Sequence, residues 1–400
     1  MSSASGTSSM SLGGDKLKRI AITNVDSWLG CCVALHVAQE LEKKCKDVEL
    51  ICLARKTDHL EKLKKFKNVR LHEVNYDKKE TLEKALHQVC ATVLIPEMDE
   101  RRVEQAKHLL SAMKNQGVRG CMMISVQGAN EAGPSGGLHE LKGYHEIEKM
   151  VEKESDKCYL ILRKSILDQC FLLWSPIVQE KKEFPLTCDR ACEMTPLDAC
   201  DLVCAIETII VEHCRRGREG ERLVEEHEQD QQLQLTEEEV IGFGKHHNKT
   251  YTLTGPQIIT PEHLCQELQD VTGEKIEFKH VSREELKKYL ESLRNRADWT
   301  EELDVDCCQT LLRPVTGGAA HLAAAAAATM SKIAGGERGG RHHFAPNEAM
   351  IKLLLDEFEL VKEKKAGLVS RDLEKILGHH GRPLKDFLKK EKDAFKPHRA

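Results

Sequence analysis

Short apolar runs alternate with longer stretches of helical spacing from Lys18 to Arg163. Arg19-Ile-Ala-Ile-Thr23 suits a strand buried on both faces, and Cys31 to Lys43 repeats apolar residues at Val33, Val37 and Leu41. Such a switch from an unbroken run to a 3.6-residue period predicts a strand followed by a helix. The pattern recurs in Val48–Ala54, a helical segment to Lys67, Val69–Val74, the helical Thr81–Val89 and Ala91–Ile95. It continues with a helix over Arg101–Gln116 closed by Gly117, a strand at Cys121–Ser125, a helix over Leu138–Lys153 and a strand at Tyr159–Leu162. Alternation of this kind requires right-handed crossovers and predicts an α/β fold, a doubly wound parallel sheet of the Rossmann type.

Beyond about residue 165 the rhythm loosens. A turn at Thr195-Pro196 precedes a helix, and Lys249–Gly255 reads as strand then turn. A helix over Pro261–Thr272, a strand over Lys275–His280 and a helix capped by Ser282 and Glu285 follow. These elements predict a second, smaller α/β domain. The expected organisation is a disordered tail over 1–15, the Rossmann-type domain over 16–180 and the smaller domain over 181–313. The helix at about 196–211 is expected to pack on the first domain, and a charged insertion to occupy about 212–239. A low-complexity insertion over 314–346 precedes C-terminal helices over 347–400, expected to pack on the smaller domain; helical spacing returns at Glu348–Lys364 and Ser370–Leu377.

Composition narrows the function only a little. Over 400 residues, 40% hydrophobic and 31% charged, the net charge is −5, which gives no electrostatic reason for a nucleic-acid partner. Aromatic residues at 4% leave little for a base-stacking surface. Met1–Lys16 lacks the apolar core of a signal peptide, and no run is apolar enough to span a bilayer. The expected location is therefore cytoplasmic, with the nucleus a second setting, and the 16 cysteines are expected to act as small apolar residues.

Candidate chemistry begins at the turn after the first strand, Thr23-Asn-Val-Asp-Ser-Trp-Leu-Gly30. A dinucleotide site needs a tight turn and a helix N-terminus there. In a Gly-x-x-Gly-x-x-Gly spacing the glycines would fall at Asn24, Ser27 and Gly30, and only Gly30 is one. Asn24 tolerates a positive φ, Ser27 adds a hydroxyl able to donate to phosphate, and Asp26 sets a negative charge beside the anion position. The second strand ends in Arg55-Lys56 where an NAD site carries a carboxylate, and arginine suits a ribose 2′-phosphate. The expected cofactor is NADP(H), with loss of any nucleotide as the contrary reading.

Several blocks in fixed order resemble the NmrA-like family, atypical relatives of the short-chain dehydrogenases. They are Lys18–Gly30, Leu50–Arg55, Val69–Asp77 with Glu80-Thr-Leu-Glu-Lys-Ala-Leu86, and Cys121–Ala129. Gly143–Val151, Tyr159-Leu-Ile-Leu-Arg163, Thr195-Pro-Leu-Asp198 with Asp201-Leu-Val203, and Lys249–Gly255 complete the set. The resemblance covers about 16–300 and 347–395. It implies a Rossmann domain with a smaller α/β domain, and a function divided between reductases of quinones or phenolic ethers and redox-responsive regulators with protein partners. It places Thr23, Asn24, Ser27, Trp28, Leu29 and Gly30 at the phosphate loop, and Arg55 with Lys56 at the adenosine phosphate. Ser125 and Gln127 map to the nicotinamide side, with Lys142 near the family's lysine.

A Tyr-x-x-x-Lys pair would share one helix face and lower the phenol pKa. Here Tyr144 is followed four residues later by Glu148, which acts in the opposite direction. Lys142, His139 and His145 remain as proton carriers, so catalysis through Lys142 is one expectation and a regulator without efficient catalysis the other. A scaffold that has lost its nucleotide is the third. Cys188, Cys192, Cys200 and Cys204 lack the tighter Cys-x2-Cys spacing of zinc knuckles, and the second pair falls on a helix where i and i+4 face the core, so buried thiols are the better reading and no metal is expected. Cys31 or Cys32 at the loop helix could be reactive, but packing against the sheet is the plainer reading. His342-His343 and the Arg215–Arg222 cluster carry no assigned role.

Overall fold

A computed structural model describes residues 18–58, 60–131, 137–155, 158–226 (backbone alone for 215–226), 243–295 and 346–396. The tail over 1–15 and nearly all of the 314–346 insertion lie outside these residues, as does the charged segment from 227 to 242.

Strands β1 (Lys18–Ile22), β2 (Val48–Ala54), β3 (Val69–Glu73), β4 (Val89–Leu94), β5 (Gly120–Val126) and β6 (Tyr159–Lys164) alternate with helices as the pattern predicts. The helices are α1 (Trp28–Lys44), α2 (Glu61–Lys64), α3 (Lys79–Ala85), α4 (Arg102–Asn115) and α5 (His139–Glu154). Among the described residues the main sheet has seven strands, all parallel, in the order β3-β2-β1-β4-β5-β6-β8, with β8 at Lys249–Leu253. The strand at 249–253 thus joins the main sheet instead of the smaller region. Its alternation alone cannot say which edge it completes; pairing with β6 from Leu160–Lys249 to Lys164–Leu253 decides it.

Every residue of β2 and β5 is buried, as expected of strands covered on both faces. Glu49 is the charged residue among them and is neutralised by Arg19 and Arg70 at 2.8 and 3.0 Å. On one face α1 packs against α7 (Ala199–Glu226), and on the other α3, α4 and α5 pack in succession. Helix α7 runs on through the start of the charged segment.

The smaller region is built on two parallel strands, β7 (Glu183–Leu186) and β9 (Glu277–His280). Pro185 in β7 hid that strand from the sequence pattern, since proline supplies no ladder N–H. After α6 (Ser175–Lys181), the 261–292 stretch forms α8 (Pro261–Thr272) and α9 (Arg283–Ser292), the latter starting in the expected Ser282–Glu285 capping box. Three C-terminal helices follow: α10 (Glu348–Lys362), α11 (Asp372–Leu377) and α12 (Leu384–Lys390). Helix α10 packs on α5 as well as α9, and α11 packs on β8 and α7, so this segment touches both parts of the molecule. A buried ion pair, Lys164 Nζ to Glu357 Oε1 at 3.0 Å, ties α10 to the end of β6. Burial opposes the Lys164 ammonium, but Glu357 outweighs it and holds the pKa above its ordinary value.

Two glycines separate steric from conformational demands. A Cβ on Gly30 would lie 1.9 Å from the Asn24 carbonyl oxygen, whereas one on Gly117 (φ +70°) would meet nothing. Gly30→Ala is expected to cost about 3 kcal/mol through backbone displacement. Gly117→Ala is expected to cost about 1 kcal/mol through left-handed strain. Urea denaturation of the two variants checks the order.

Candidate functional site

Strand order reverses between β1 and β4, so the crevice of the sheet opens at their carboxyl ends. The turn leaving β1 is held by Asn24, which adopts φ +54°, the left-handed conformation a glycine usually supplies there. Its side-chain amide donates to Pro96 O at 3.2 Å, and its backbone N–H donates to the Tyr76 hydroxyl at 2.7 Å. Thr23 Oγ1 donates to Ile95 O and accepts from Ile95 N. Together these bonds hold the ends of β1 and β4 side by side. Ser27 is the N-cap of α1: its hydroxyl donates to Asn24 O at 2.7 Å and accepts from Gly30 N at 3.1 Å. Trp28 and Leu29, in the first turn of α1, are half-buried.

Asp26 is turned towards the end of β2. Its Oδ2 accepts from the backbone N–H groups of Arg55 and Lys56 at 3.0 and 3.2 Å, which fixes the end of β2 against the loop. Arg55 Nε donates to Glu97 Oε2 at 2.8 Å, and its guanidinium lies 5.4 Å from the centre of the Tyr76 ring. Lys56 is exposed. Buried polar atoms at this corner that make no hydrogen bond include Asp26 Oδ1, Arg55 Nη2 and Glu97 Oε1. Buried polar groups are normally paired, so such a cluster marks a place for an outside partner. The left-handed turn, the helix N-terminus and these orphaned atoms therefore fit the diphosphate and adenosine ribose of a dinucleotide.

The other end of the crevice is differently built. Ser125, at the end of β5, is fully buried and donates to Glu148 Oε1 at 2.6 Å. Arg163 of β6 grips the same carboxylate with Nε at 2.9 Å and Nη2 at 2.7 Å, and His145 Nδ1 lies 3.2 Å from it. Burial pushes the Glu148 carboxyl upward. The bonds from Arg163 and Ser125, with the Arg163 charge and His145, outweigh it and hold the pKa below the ordinary value. Tyr144 is buried over Arg102, 5.1 Å from ring centre to guanidinium, and burial raises its phenol pKa. Gln127 is half-buried, its N–H donating to Lys164 O, while Lys142 and His139 are exposed on α5. The buried lysine close to Tyr144 is Lys164. Leu360 of α10 lies 2.2 Å from where a Cβ on Gly128 would be, so the helix seats directly on the loop after β5.

The structure thus brings Thr23, Asn24, Ser27, Gly30, Arg55 and Lys56 to one end of the crevice and Ser125 and Gln127 to the other. Sequence reasoning missed Tyr76, Glu97, Arg163, Lys164 and Glu357. Tyr76 and Glu97 follow the ends of β3 and β4, which is the one signal that could have found them. Among the cysteines, Cys31, Cys32, Cys188, Cys192 and Cys200 are buried. Among the described residues no group of three or more His, Cys, Asp or Glu could hold a metal ion, and no helix is long and apolar enough to cross a membrane.

Fold and crevice define a nicotinamide-dinucleotide type of Rossmann protein, and comparison with known proteins agrees. Residues 32–170 match the family model described as NAD(P)H-binding; the match begins just past Gly30. No curated protein matches the chain. An NADPH-dependent quinone oxidoreductase of Escherichia coli, solved with NADPH, is 17% identical with a TM-score of 0.62, over 93% of this chain and 99% of that one. The triphenylmethane reductase of Citrobacter sp., solved with NADP(H), is 19% identical over the same shares, with a TM-score of 0.60. NmrA, a negative transcriptional regulator solved with NAD, is 11% identical over 95% of this chain and 98% of its own, with a TM-score of 0.57. The chain carries an NAD(P)H-binding domain and shares its Rossmann fold with these reductases and with NmrA.

The Glu148 cluster makes a stability prediction. Glu148→Ala leaves the part-buried Arg163 and the buried Ser125 hydroxyl without their acceptor, a loss of about 2–3 kcal/mol. Because the folded pKa of Glu148 is lowered, its contribution is complete above the ordinary carboxylate range and is lost as pH falls through the lowered value. Denaturation midpoints of wild type and variant from pH 7 to pH 3 are expected to converge at the acid end.

Proposed function

We propose that this protein binds NADP(H) or NAD(H) as a regulatory ligand and reports the redox state to a protein partner, with no efficient catalysis of its own. The observation that carries this reading is the Ser125–Glu148–Arg163 cluster. A hydroxyl placed to orient a carbonyl is already donating to a carboxylate, and that carboxylate is held ionised, so neither group offers a proton to substrate. Tyr144 is buried with a raised pKa, and Lys142 stands exposed on α5.

Under this reading Thr23, Asn24, Ser27, Trp28, Leu29 and Gly30 hold the diphosphate at the start of α1. Arg55 and Lys56 meet the adenosine ribose together with the orphaned atoms of Asp26 and Glu97. Ser125 and Gln127 border the nicotinamide, which when bound supplies a hydride donor or acceptor. The family match over residues 32–170 supports the ligand class, and the fold shared with NmrA supports the regulatory role. A location in the cytoplasm, or in the nucleus beside a transcriptional partner, accords with this role.

Calorimetric titration with NADP⁺, NADPH, NAD⁺ and NADH tests the ligand, and NADPH oxidation over a quinone panel tests the chemistry. Binding without turnover is expected. Turnover above about 1 s⁻¹, within the ordinary range of enzymes, would restore the reductase reading that the quinone and dye reductases of the same fold suggest. Failure of all four nucleotides to bind would leave a scaffold.

A further inference from the structure

Arg55, the cation at the end of β2, is already engaged. Its Nε donates to Glu97 at 2.8 Å, and Asp99 Oδ2 lies 3.9 Å from its Nη2. Other groups close the corner from each neighbouring element. Asp26 comes from the loop after β1, and Asp77 after β3 pairs with Arg101 at 2.9 Å. Arg102 and Gln105 of α4 line a water-sized cavity with Tyr76 and Glu97, and Arg102 directs its charge at Glu140, 2.6 Å away. Arg55 is the cation nearest Glu97 in this set; Asp26 and Asp99 crowd the pair from the acidic side.

We propose that Glu97 sets the choice between NADP(H) and NAD(H) at this site by competing with the ribose 2′-phosphate for Arg55. The inference rests on the dinucleotide reading of the crevice. A 2′-phosphate brings a charge of about −1.5 to −2 and must share Arg55 with whatever already neutralises it. With Glu97 ionised the phosphate would stand beside a like charge, and its gain from Arg55 is largely cancelled. A ribose 2′-hydroxyl is neutral and donates. Glu97 Oε1 and Asp26 Oδ1, both buried and without partners, are acceptors for it. Ionised Glu97 therefore favours the unphosphorylated ribose, and neutral Glu97 releases Arg55 to the phosphate.

The switch falls in a useful range. Burial pushes the Glu97 carboxyl up most, Arg55 pulls it down, and Asp26 and Asp99 push it up again, to about 7. Since the neutral form prevails below that value, preference for NADP(H) is strengthened on its acid side and lost on its alkaline side. By linkage, NADP(H) binding near neutrality draws a proton onto the protein.

The test is calorimetric titration of the full chain with NADP⁺ and NAD⁺ at pH 6.5 and 8.5, both above the titration of the phosphate itself near 6. Wild type, Glu97→Gln and Arg55→Ala are compared. The wild-type ratio of NADP⁺ to NAD⁺ affinity is expected to be about tenfold larger at pH 6.5. Glu97→Gln is expected to hold the high ratio at both values, and Arg55→Ala the low one. A second readout is proton uptake on NADP⁺ binding, measured in two buffers of different ionisation enthalpy, present in wild type and absent in Glu97→Gln. A wild-type ratio that does not change with pH, or a Glu97→Gln ratio equal to wild type at both, overturns the proposal. If NAD⁺ and NADP⁺ bind equally well throughout, the dinucleotide reading stands and Glu97 is not its selector. If neither binds any of the three proteins, the dinucleotide reading itself is overturned, and the role of Glu97 with it.

Discussion

The crevice depends on one residue in the left-handed region. With φ at +54°, Asn24 turns the chain out of β1 and aims its carbonyl at the start of α1, where it accepts from the Ser27 N–H and hydroxyl. The same carbonyl occupies the space a side chain at position 30 would need, so Gly30 is required by Asn24 as much as by any ligand. The Asn24 side chain reaches Pro96 and its N–H reaches Tyr76, so a single turn ties β1 to the ends of both β4 and β3. A glycine would adopt the turn more easily but could not make the bond to Pro96. Asparagine at this position trades conformational ease for a cross-strand tie.

Two carboxylates then give the two ends of the crevice opposite characters. Glu148 receives a bidentate arginine and a serine hydroxyl, enough to offset burial and keep it charged. Glu97 receives one nitrogen of Arg55 and sits near Asp26 and Asp99, so burial prevails and its carboxyl titrates near neutrality. The difference is one of partner number: desolvation acts on both, and only Glu148 is compensated. Helix α10 reinforces the fixed character of the Ser125 end. Glu357 neutralises Lys164 inside the protein, and Asp356 accepts from the first turn of α5 at Glu140 N while pairing with Arg283. The C-terminal helix is in this way part of the crevice wall, although it is distant from β6 in sequence.

Much of the Rossmann half was legible because buried parallel strands write themselves as unbroken apolar runs. β2 and β5 are the clearest examples. The left-handed turn at Asn24 and the Ser282 capping box were legible too, since both follow from local chemistry. Strand β7 was not: Pro185 interrupts its pattern, and its pairing partner β9 begins more than ninety residues later. Helix α12 escaped for a related reason, its apolar residues Leu384, Phe387 and Leu388 being few among lysines. At the candidate site, Arg55 and Ser125 were singled out by their positions at strand ends. Glu97 and Arg163 were not, because what matters about them is which side chain each one meets.

The order of the elements, the parallel class of the sheet and the damaged glycine spacing were settled by the sequence, since each is a matter of local conformation and burial. Whether Arg55 is available to a phosphate, whether Ser125 has a proton to give, and whether β8 belongs to the main sheet were decided only by tertiary structure. Each of these depends on a partner far along the chain: Glu97 for Arg55, Glu148 and Arg163 for Ser125, β6 for β8. The charge and hydrogen-bonding state of a side chain is fixed by its neighbours in space, and a sequence lists only its neighbours along the chain.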